Sequence, residues 1–370
     1  MYQQKSAKSD SLIALLLIGL LLLSTLIVSS VTIFIAERAY SNPFYFFNRH
    51  LVHLVLAGIC FVVGYLIKPD FWVRYRALVL MVAIGLLVAV LVPGIGSVIN
   101  GSRRWIRTPL MTIQTSDPAK LAFIMFIAAY ASEKIKANLS FSRKWLPAIA
   151  LLGIFDGLLL LQPDFGSAIV ITGVVLQILF VAGMPILSFM MIIGAASIQG
   201  VLLAVFTPYR FMRIVSFLNP WLFPYSAGYQ LTQSLMAIGR GGFWGVGLGS
   251  SLQKIFYLPE AHTDFIFAVF CEEIGAVGGV IVMVAFCTIV VRLIQWSYHF
   301  FDRAAYFNSF YLAGISGLIG CQFIVSAGVN MGILPTKGIS MPLLSYGGTH
   351  MLTSLFAFGI VFRMLSEPVK

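Results

Sequence analysis

Apolar residues do not alternate with polar ones along this chain; they run in blocks long enough to cross a bilayer, separated by short polar connections. A bilayer core about 30 Å thick takes about 20 residues of helix, because each residue advances the chain about 1.5 Å. On that rule ten spans are predicted, at 11–35, 51–67, 77–93, 119–131, 146–161, 167–182, 186–206, 265–293, 307–330 and 345–364. The fourth is short and the eighth long, which predicts tilt or an interfacial end. The fold class is therefore an all-α integral membrane protein of about ten transmembrane helices. It forms a single polytopic membrane domain over 1–370, with helices 1–7 in 11–206, a long outer loop at 207–264 and helices 8–10 in 265–364.

The opening MYQQKSAKSD has the basic flank of a signal peptide. The apolar run behind it is too long for a signal peptide's apolar region and no small-residue cleavage site follows, so a retained helix is predicted. Orientation follows from lysine and arginine in short loops. With a cytoplasmic amino terminus, the inner segments hold Lys5, Lys8, Lys68, Arg74, Arg76, Lys134, Lys136, Arg143, Lys144, Arg292, Arg303, Arg363 and Lys370. Most of the outer basic residues fall in two unusual connections, 94–118 and 207–264, which hold their charge for another reason. An even number of spans returns the carboxyl terminus to the cytoplasm. No inverted repeat of the carrier type is visible.

Composition sharpens the class. The chain is 59% hydrophobic and only 10% charged, whereas soluble proteins have about 25% charged residues. A water-facing surface cannot be built from that stock, and a soluble enzyme is excluded. The net charge of +11 is scattered between apolar runs rather than gathered into a stripe, so no nucleic-acid partner is expected. Cys60, Cys271, Cys287 and Cys321 show no metal-ligand or redox spacing.

Charges at membrane depth are costly and face a cavity or a partner, so the few present are informative. The densest group is YLPEAHTDFIFAVFCEEIG, 257–275. Glu260, His262 and Asp264 sit at the mouth of the eighth span, with Glu272 and Glu273 inside it. A helix beginning near Asp264 would align Asp264 with Glu272 on one face, about 12 Å deeper. Glu260 and His262 read best as a solvated loop end. Asp264 adjoins FIFAVF, which desolvates a carboxylate and raises its pKa toward that of a general base. Glu272 and Glu273 fit a buried structural pairing at least as well as chemistry.

Lys120 opens the fourth span in QTSDPAKLAF and wants a counter-charge, for which Asp264 or Glu272 are the leading candidates. The outer cations are Arg103, Arg104, Arg107, Arg210, Arg213, Arg240 and Lys254. Guanidinium forks suit phosphate or pyrophosphate oxygens, and Trp105, Trp221 and Trp244 suit the headgroup level. Lipid-headgroup contact and structural pairing are the alternatives for any one of them; together they point to an anionic, lipid-borne ligand. GRGGFWGVGLG, 239–249, lacks the lysine and hydroxyl of a nucleotide loop and is expected to be flexible backbone bordering a cavity. NMGILPTKGISMPLLSYGG, 330–348, cannot be a continuous helix and is expected to carry Lys337 into the same cavity. In QPDFG, 162–166, Asp164 is expected to cap the sixth span.

GSRRWI with QTSDPAK, QPDFG, NPW with GYQLTQSLMAIGRGGFWGVGLGSSLQK, YLPEAHTDFIFAVFCEEIG and PTKGISMPLLSYGG together resemble the SEDS family, the shape, elongation, division and sporulation proteins of bacteria. The match runs in family order from about Arg49 to the end, and the last two motifs resemble the division branch more than the rod-elongation branch. One departure is visible. Where the family reads Gln-Pro-Ser-Glu, an aliphatic residue, Ala and Lys, this chain has Gln114, Thr115, Ser116, Asp117, Pro118, Ala119 and Lys120. Lys120 keeps its place and its implied role; Asp117 as a functional acid is not carried over.

The resemblance implies a peptidoglycan glycosyltransferase that polymerises lipid II, the undecaprenyl-pyrophosphate-linked disaccharide-peptide, at the outer face of the cytoplasmic membrane. A sugar hydroxyl must lose a proton as it attacks an anomeric carbon, while a pyrophosphate leaves with negative charge. That calls for a carboxylate and surrounding cations. Asp264 matches the family's essential aspartate, as base or divalent-metal contact; Arg104, Lys120, Arg213, Arg240 and Lys337 are the leaving-group candidates. Mg²⁺ or Mn²⁺ bridging carboxylate and pyrophosphate is expected chemistry, with no organic cofactor and no dedicated metal cage in the sequence. The implied partners are a class B penicillin-binding protein, a transpeptidase, and other division proteins. A lipid II flippase and a non-catalytic scaffold of the division machinery use the same residues. A continuous charged pathway to the inner face would mark the flippase, and indifference to Asp264→Asn the scaffold.

Overall fold

The computed structural model describes residues 10–99, 101–108, 111–135, 141–255 and 257–367, the backbone alone at 142, 203, 204, 209 and 210. The basic opening segment, Lys136, Lys370 and the Arg210 side chain lie outside the described residues.

The chain begins with three long helices, α1 (Ser11–Tyr40), α2 (Tyr45–Leu66) and α3 (Arg76–Leu91), with a short helical turn at Pro69–Arg74 between the last two. A three-stranded antiparallel sheet follows, β1 (Gly96–Ile99), β2 (Ser102–Arg107) and β3 (Thr112–Gln114) in the order β1-β2-β3. Then come α4 (Ser116–Lys134), α5 (Leu146–Leu161), α6 (Phe165–Val181) and α7 (Ile186–Val205). The long connection holds α8 (Pro208–Leu218) and α9 (Tyr229–Gly241), and the chain closes with α10 (Ile266–Asp302), α11 (Tyr306–Asn330) and α12 (Gly348–Ser366). Each predicted span coincides with one helix. The all-α reading holds, with the small sheet and two surface helices added inside the two unusual connections.

Among the described residues five helices are long and apolar enough to cross a bilayer: α1, α2, α10, α11 and α12. Residues 76–91, 146–161, 165–181 and 186–202 form shorter apolar helices. α4 carries Asp117, Lys120, Glu133 and Lys134 and is buried nearly all round, from Ala119 through Ala129. It is the central helix of the bundle, packed by α11 and α6; Phe123 stacks on Phe155 of α5 at 4.4 Å between ring centroids.

Polar side chains set the ends. Asp10 caps α1, accepting from the amides of Leu12 and Ile13 at 3.2 and 3.4 Å. Its other carboxylate oxygen takes Arg292 at 2.7 Å and the Trp296 indole N–H at 2.8 Å, tying α1 to α10. Asp164 caps α6 through the Ser167 amide at 3.2 Å, as expected from QPDFG.

α10 is not continuous. At Gly275 the backbone turns to φ 87°, ψ 179°, and the glycine run 242–247 lies against the break. The amides of Val246 and Gly247 donate to the carbonyls of Glu272 and Glu273 at 2.9 and 3.0 Å, and Ala276 donates to Gly242 at 2.9 Å. A β-carbon at Gly275 would collide with the backbone of Phe243 and Gly245, so glycine is required there. The glycine run is therefore a backbone splint for a broken helix rather than free cavity-lining chain.

Candidate active site

Asp264 lies in the last turn of the long connection, two residues ahead of α10, and is half-buried. Its amide donates to the Glu260 carbonyl at 3.1 Å. The irregular segment between α11 and α12 passes directly over it: a β-carbon at Gly338 would stand 2.7 Å from Asp264 Oδ2. Ser345 Oγ donates to the Thr263 carbonyl at 2.6 Å and the Tyr346 amide to the His262 carbonyl at 2.9 Å, so the two connections are stitched together around the carboxylate.

Cations gather on the same segment. Arg213 of α8 donates to the Thr336 carbonyl at 3.0 Å. Lys337 sets its ammonium 3.8 Å from the centroid of Phe165, at the start of α6. Arg104 of β2 reaches Asp164 at 3.4 Å. Burial pushes the Asp264 carboxyl up from an ordinary 3.8 to about 7, Glu260 adding to the rise while Arg104 and Arg213 pull it back. A base poised near neutrality, with two guanidinium groups close enough to oppose its shift, suits proton removal beside a departing anion.

Glu260 and His262 stay beside Asp264, and the remaining predicted residues are distributed elsewhere. Lys120 does not meet Asp264 or Glu272. It pairs with Asp117, three residues back on the first turn of α4, at 2.9 Å, with His350 of α12 3.7 Å from the same carboxylate. The i,i+3 geometry of a helix brings that pair together without any help from the fold. All three side chains line a cavity of about 10 Å³ inside the bundle. Asp264 and Glu272 do not share a helix face, because the helix starts after Asp264. Glu272 instead accepts from Arg240 at 2.9 Å, from Ser251 and from the Leu252 amide at 3.1 Å. Glu273 pairs with Lys254 at 2.8 Å and accepts from Ser30 of α1. Both glutamates are structural anchors of the long connection. His262 packs its ring on Phe46 and Tyr346, with centroids at 5.7 and 5.8 Å, and burial holds its pKa below the ordinary value against the pull of Glu260. Glu260 accepts from Thr263 Oγ1 at 2.7 Å.

Sequence reasoning missed the Arg104–Asp164 pair and the hairpin that presents Arg104. An Asn-Gly dipeptide, which favours a two-residue hairpin loop, was the available signal in the sequence, and Ile99 pairs with Ser102. Asn330 was read only as the end of a span.

The family model described as "Cell cycle protein", that of FtsW, RodA and SpoVE, matches residues 10–368. The chain belongs to this family. A Coxiella burnetii protein named "Probable peptidoglycan glycosyltransferase FtsW" is 40% identical over 368 residues, 99% of this chain and 99% of its own. A Francisella salina protein of the same name is 41% identical over 356 residues, 96% of this chain and 88% of its own. Among solved structures, a chain of a peptidoglycan synthase complex described for its coordination of polymerization and crosslinking matches with a TM-score of 0.77 at 25% identity, covering 96% of this chain and 97% of that one. The rod shape determining protein RodA of Thermus thermophilus shares the fold, with a TM-score of 0.72 at 23% identity over 96% of each chain. The FtsW/RodA/SpoVE fold and the apolar helices make this a multi-pass membrane protein, and the FtsW relatives agree with the division-type motifs.

Proposed function

We propose that this chain is a division-type peptidoglycan glycosyltransferase that polymerises lipid II into glycan strands at the outer face of the bacterial cytoplasmic (inner) membrane, with both termini in the cytoplasm. The names of its relatives support the activity. The observation that carries the chemistry is the Asp264 carboxylate, held against Gly338 with Arg104 and Arg213 in its field. Asp264 takes the proton of the attacking sugar hydroxyl as that oxygen bonds to the anomeric carbon. The bond from that carbon to pyrophosphate breaks, its electron pair leaves on the phosphate oxygen, and Arg104, Arg213 and Lys337 stabilise the charge. Lys120 and Arg240 leave the front rank of leaving-group residues, because Asp117 and Glu272 hold them at 2.9 Å; Arg104 stands farther from its partner Asp164, at 3.4 Å, and acts on Asp264 as well.

Among the described residues no group of three or more His, Cys, Asp or Glu is arranged to hold a metal. Mg²⁺ is commonly held by one or two carboxylates together with substrate phosphates rather than by a protein cage, so the alternative to the base role is that Asp264 would be the single protein ligand of an Mg²⁺ or Mn²⁺ arriving with substrate. Such an ion would add positive charge at the leaving group. The partner on this reading is a class B penicillin-binding protein that crosslinks the strands, in company with other division proteins. The peptidoglycan synthase complex among the matched structures supports the first of these.

Transfer is favoured over flipping because Lys120 is spent on Asp117, Glu272 on Arg240 and Glu273 on Lys254, which leaves Asp156, bonded to Thr172, as an isolated charge rather than part of a continuous path through the bundle. The test is the purified protein in sealed vesicles with labelled lipid II, with and without the transpeptidase. Glycan polymer is expected; translocated lipid II without polymer would overturn the reading.

A further inference from the structure

In an uninterrupted helix the Ala268 amide would donate to the Asp264 carbonyl, four residues back. Here the side chain of Asn330, the last residue of α11, stands between those two groups. Its Nδ2 donates to the Asp264 carbonyl at 2.9 Å and its Oδ1 accepts from the Ala268 amide at 2.9 Å. The second Nδ2 hydrogen goes to the Ser326 carbonyl at 2.7 Å, and Ser234 Oγ of α9 donates to the Asn330 carbonyl at 2.7 Å. Two carbonyls and one amide surround the carboxamide, so only this orientation satisfies all three. Asn330 is fully buried, which makes each bond costly to lose.

We propose that Asn330 is a positioning residue for the transfer reaction: it is wedged into the first turn of α10, and so holds Asp264 out of the helix with its carboxylate against Gly338 and the arginines. The proposal rests on the reading of Asp264 as the base. Without the wedge, the Ala268 amide, which also donates to the Phe265 carbonyl at 3.2 Å, can shift one residue back onto the Asp264 carbonyl and complete a helical turn. The helix then starts at Asp264 and turns the carboxylate toward the face of Glu272. The carboxamide is spent on backbone groups of Asp264, Ala268 and Ser326, so its loss should leave substrate binding as it was.

A misplacement of about 1 Å in reacting groups costs on the order of 10²-fold in rate. Asn330→Ala and the isosteric Asn330→Asp, which keeps the acceptor for Ala268 and loses the donors, are to be assayed as full-length protein in proteoliposomes on labelled lipid II, beside Asp264→Asn and the Asp264→Asn/Asn330→Ala double variant. The expected result is a fall in kcat on the order of 10²-fold for Asn330→Ala with KM within about twofold of the parent. Asn330→Asp should fall between, and Asn330→Ala should cost nothing further once Asp264 is Asn. An inactive Asp264→Asn beside a parent-like Asn330→Ala would overturn the wedge alone. Full loss repeated on top of Asp264→Asn, or failure of both Asn330 variants to fold, would mark a structural tie only and overturn it too. Parent-like turnover by Asp264→Asn would overturn the base reading and the wedge with it.

Discussion

Lys254→Met is the most exacting test of how the long connection is held to the bundle. Lys254 and Glu273 are 2% and 0% exposed, 2.8 Å apart, and share Ser30: the ammonium donates to Ser30 Oγ at 3.0 Å and that hydroxyl donates to Glu273. Three elements meet there: α1, the connection carrying Asp264, and α10. Removing one partner of a buried pair strands the other, and such losses run about 3–5 kcal/mol, because desolvation of the remaining charge is no longer offset. Ser30 alone replaces little of that. The double variant Lys254→Met/Glu273→Leu removes both charges and should recover most of the loss, since two charges were taken out of water to make the pair. The assay is equilibrium unfolding of detergent-solubilised protein, comparing parent, both single variants and the double. Single variants as stable as the parent, or a double variant at the sum of the two losses, would refute the reasoning.

The other expectations concern the site. Activity should rise with pH through about 7 as Asp264 loses its proton; Glu260→Gln removes a like charge and should move that limb to lower pH, whereas Arg213→Gln removes a cation and should move it higher. pH–rate profiles on lipid II check both signs, and shifts in the same direction would contradict the assignment. The raised carboxyl pKa also has a stability sign: between about 4 and 7 the folded protein binds more protons than the unfolded, so Asp264's contribution weakens as pH rises through that window, and Asp264→Asn should flatten it in unfolding measurements. Gly338→Ala puts a β-carbon 2.7 Å from Asp264 Oδ2 and should depress kcat on the order of 10²-fold while the protein still folds.

The helical frame was legible because bilayer thickness imposes one length rule on every span, and it located α1 to α7 and α10 to α12. The position of Asp264 just ahead of the eighth span, the non-helical backbone of the PTKG segment and the Asp164 cap were legible too, each from a local signal. What escaped was set by distant partners. The sequence places Asp264 and Glu272 at helical spacing, but Asn330, 66 residues on, occupies the bond that would have begun the helix there. Glu272 and Glu273 fitted a buried structural pairing at least as well as chemistry, but their partners, Arg240 and Lys254, come back from the long connection and could not be assigned from spacing. Lys120 is the converse case: its partner Asp117 is local, three residues back on the same helix, rather than the distant carboxylate its depth suggested. The hairpin around Arg104 has strands of 4, 6 and 3 residues, too short for periodicity to register.

The central claim is that Asp264 removes a proton from the attacking hydroxyl. A positioned general base contributes about 10²–10⁴-fold, so the measurement is the rate of glycan formation from labelled lipid II by reconstituted Asp264→Asn beside the parent, with folding and substrate binding confirmed for both. The account predicts intact binding with a rate loss in that range. A variant that binds lipid II and polymerises it at the parent rate would contradict it.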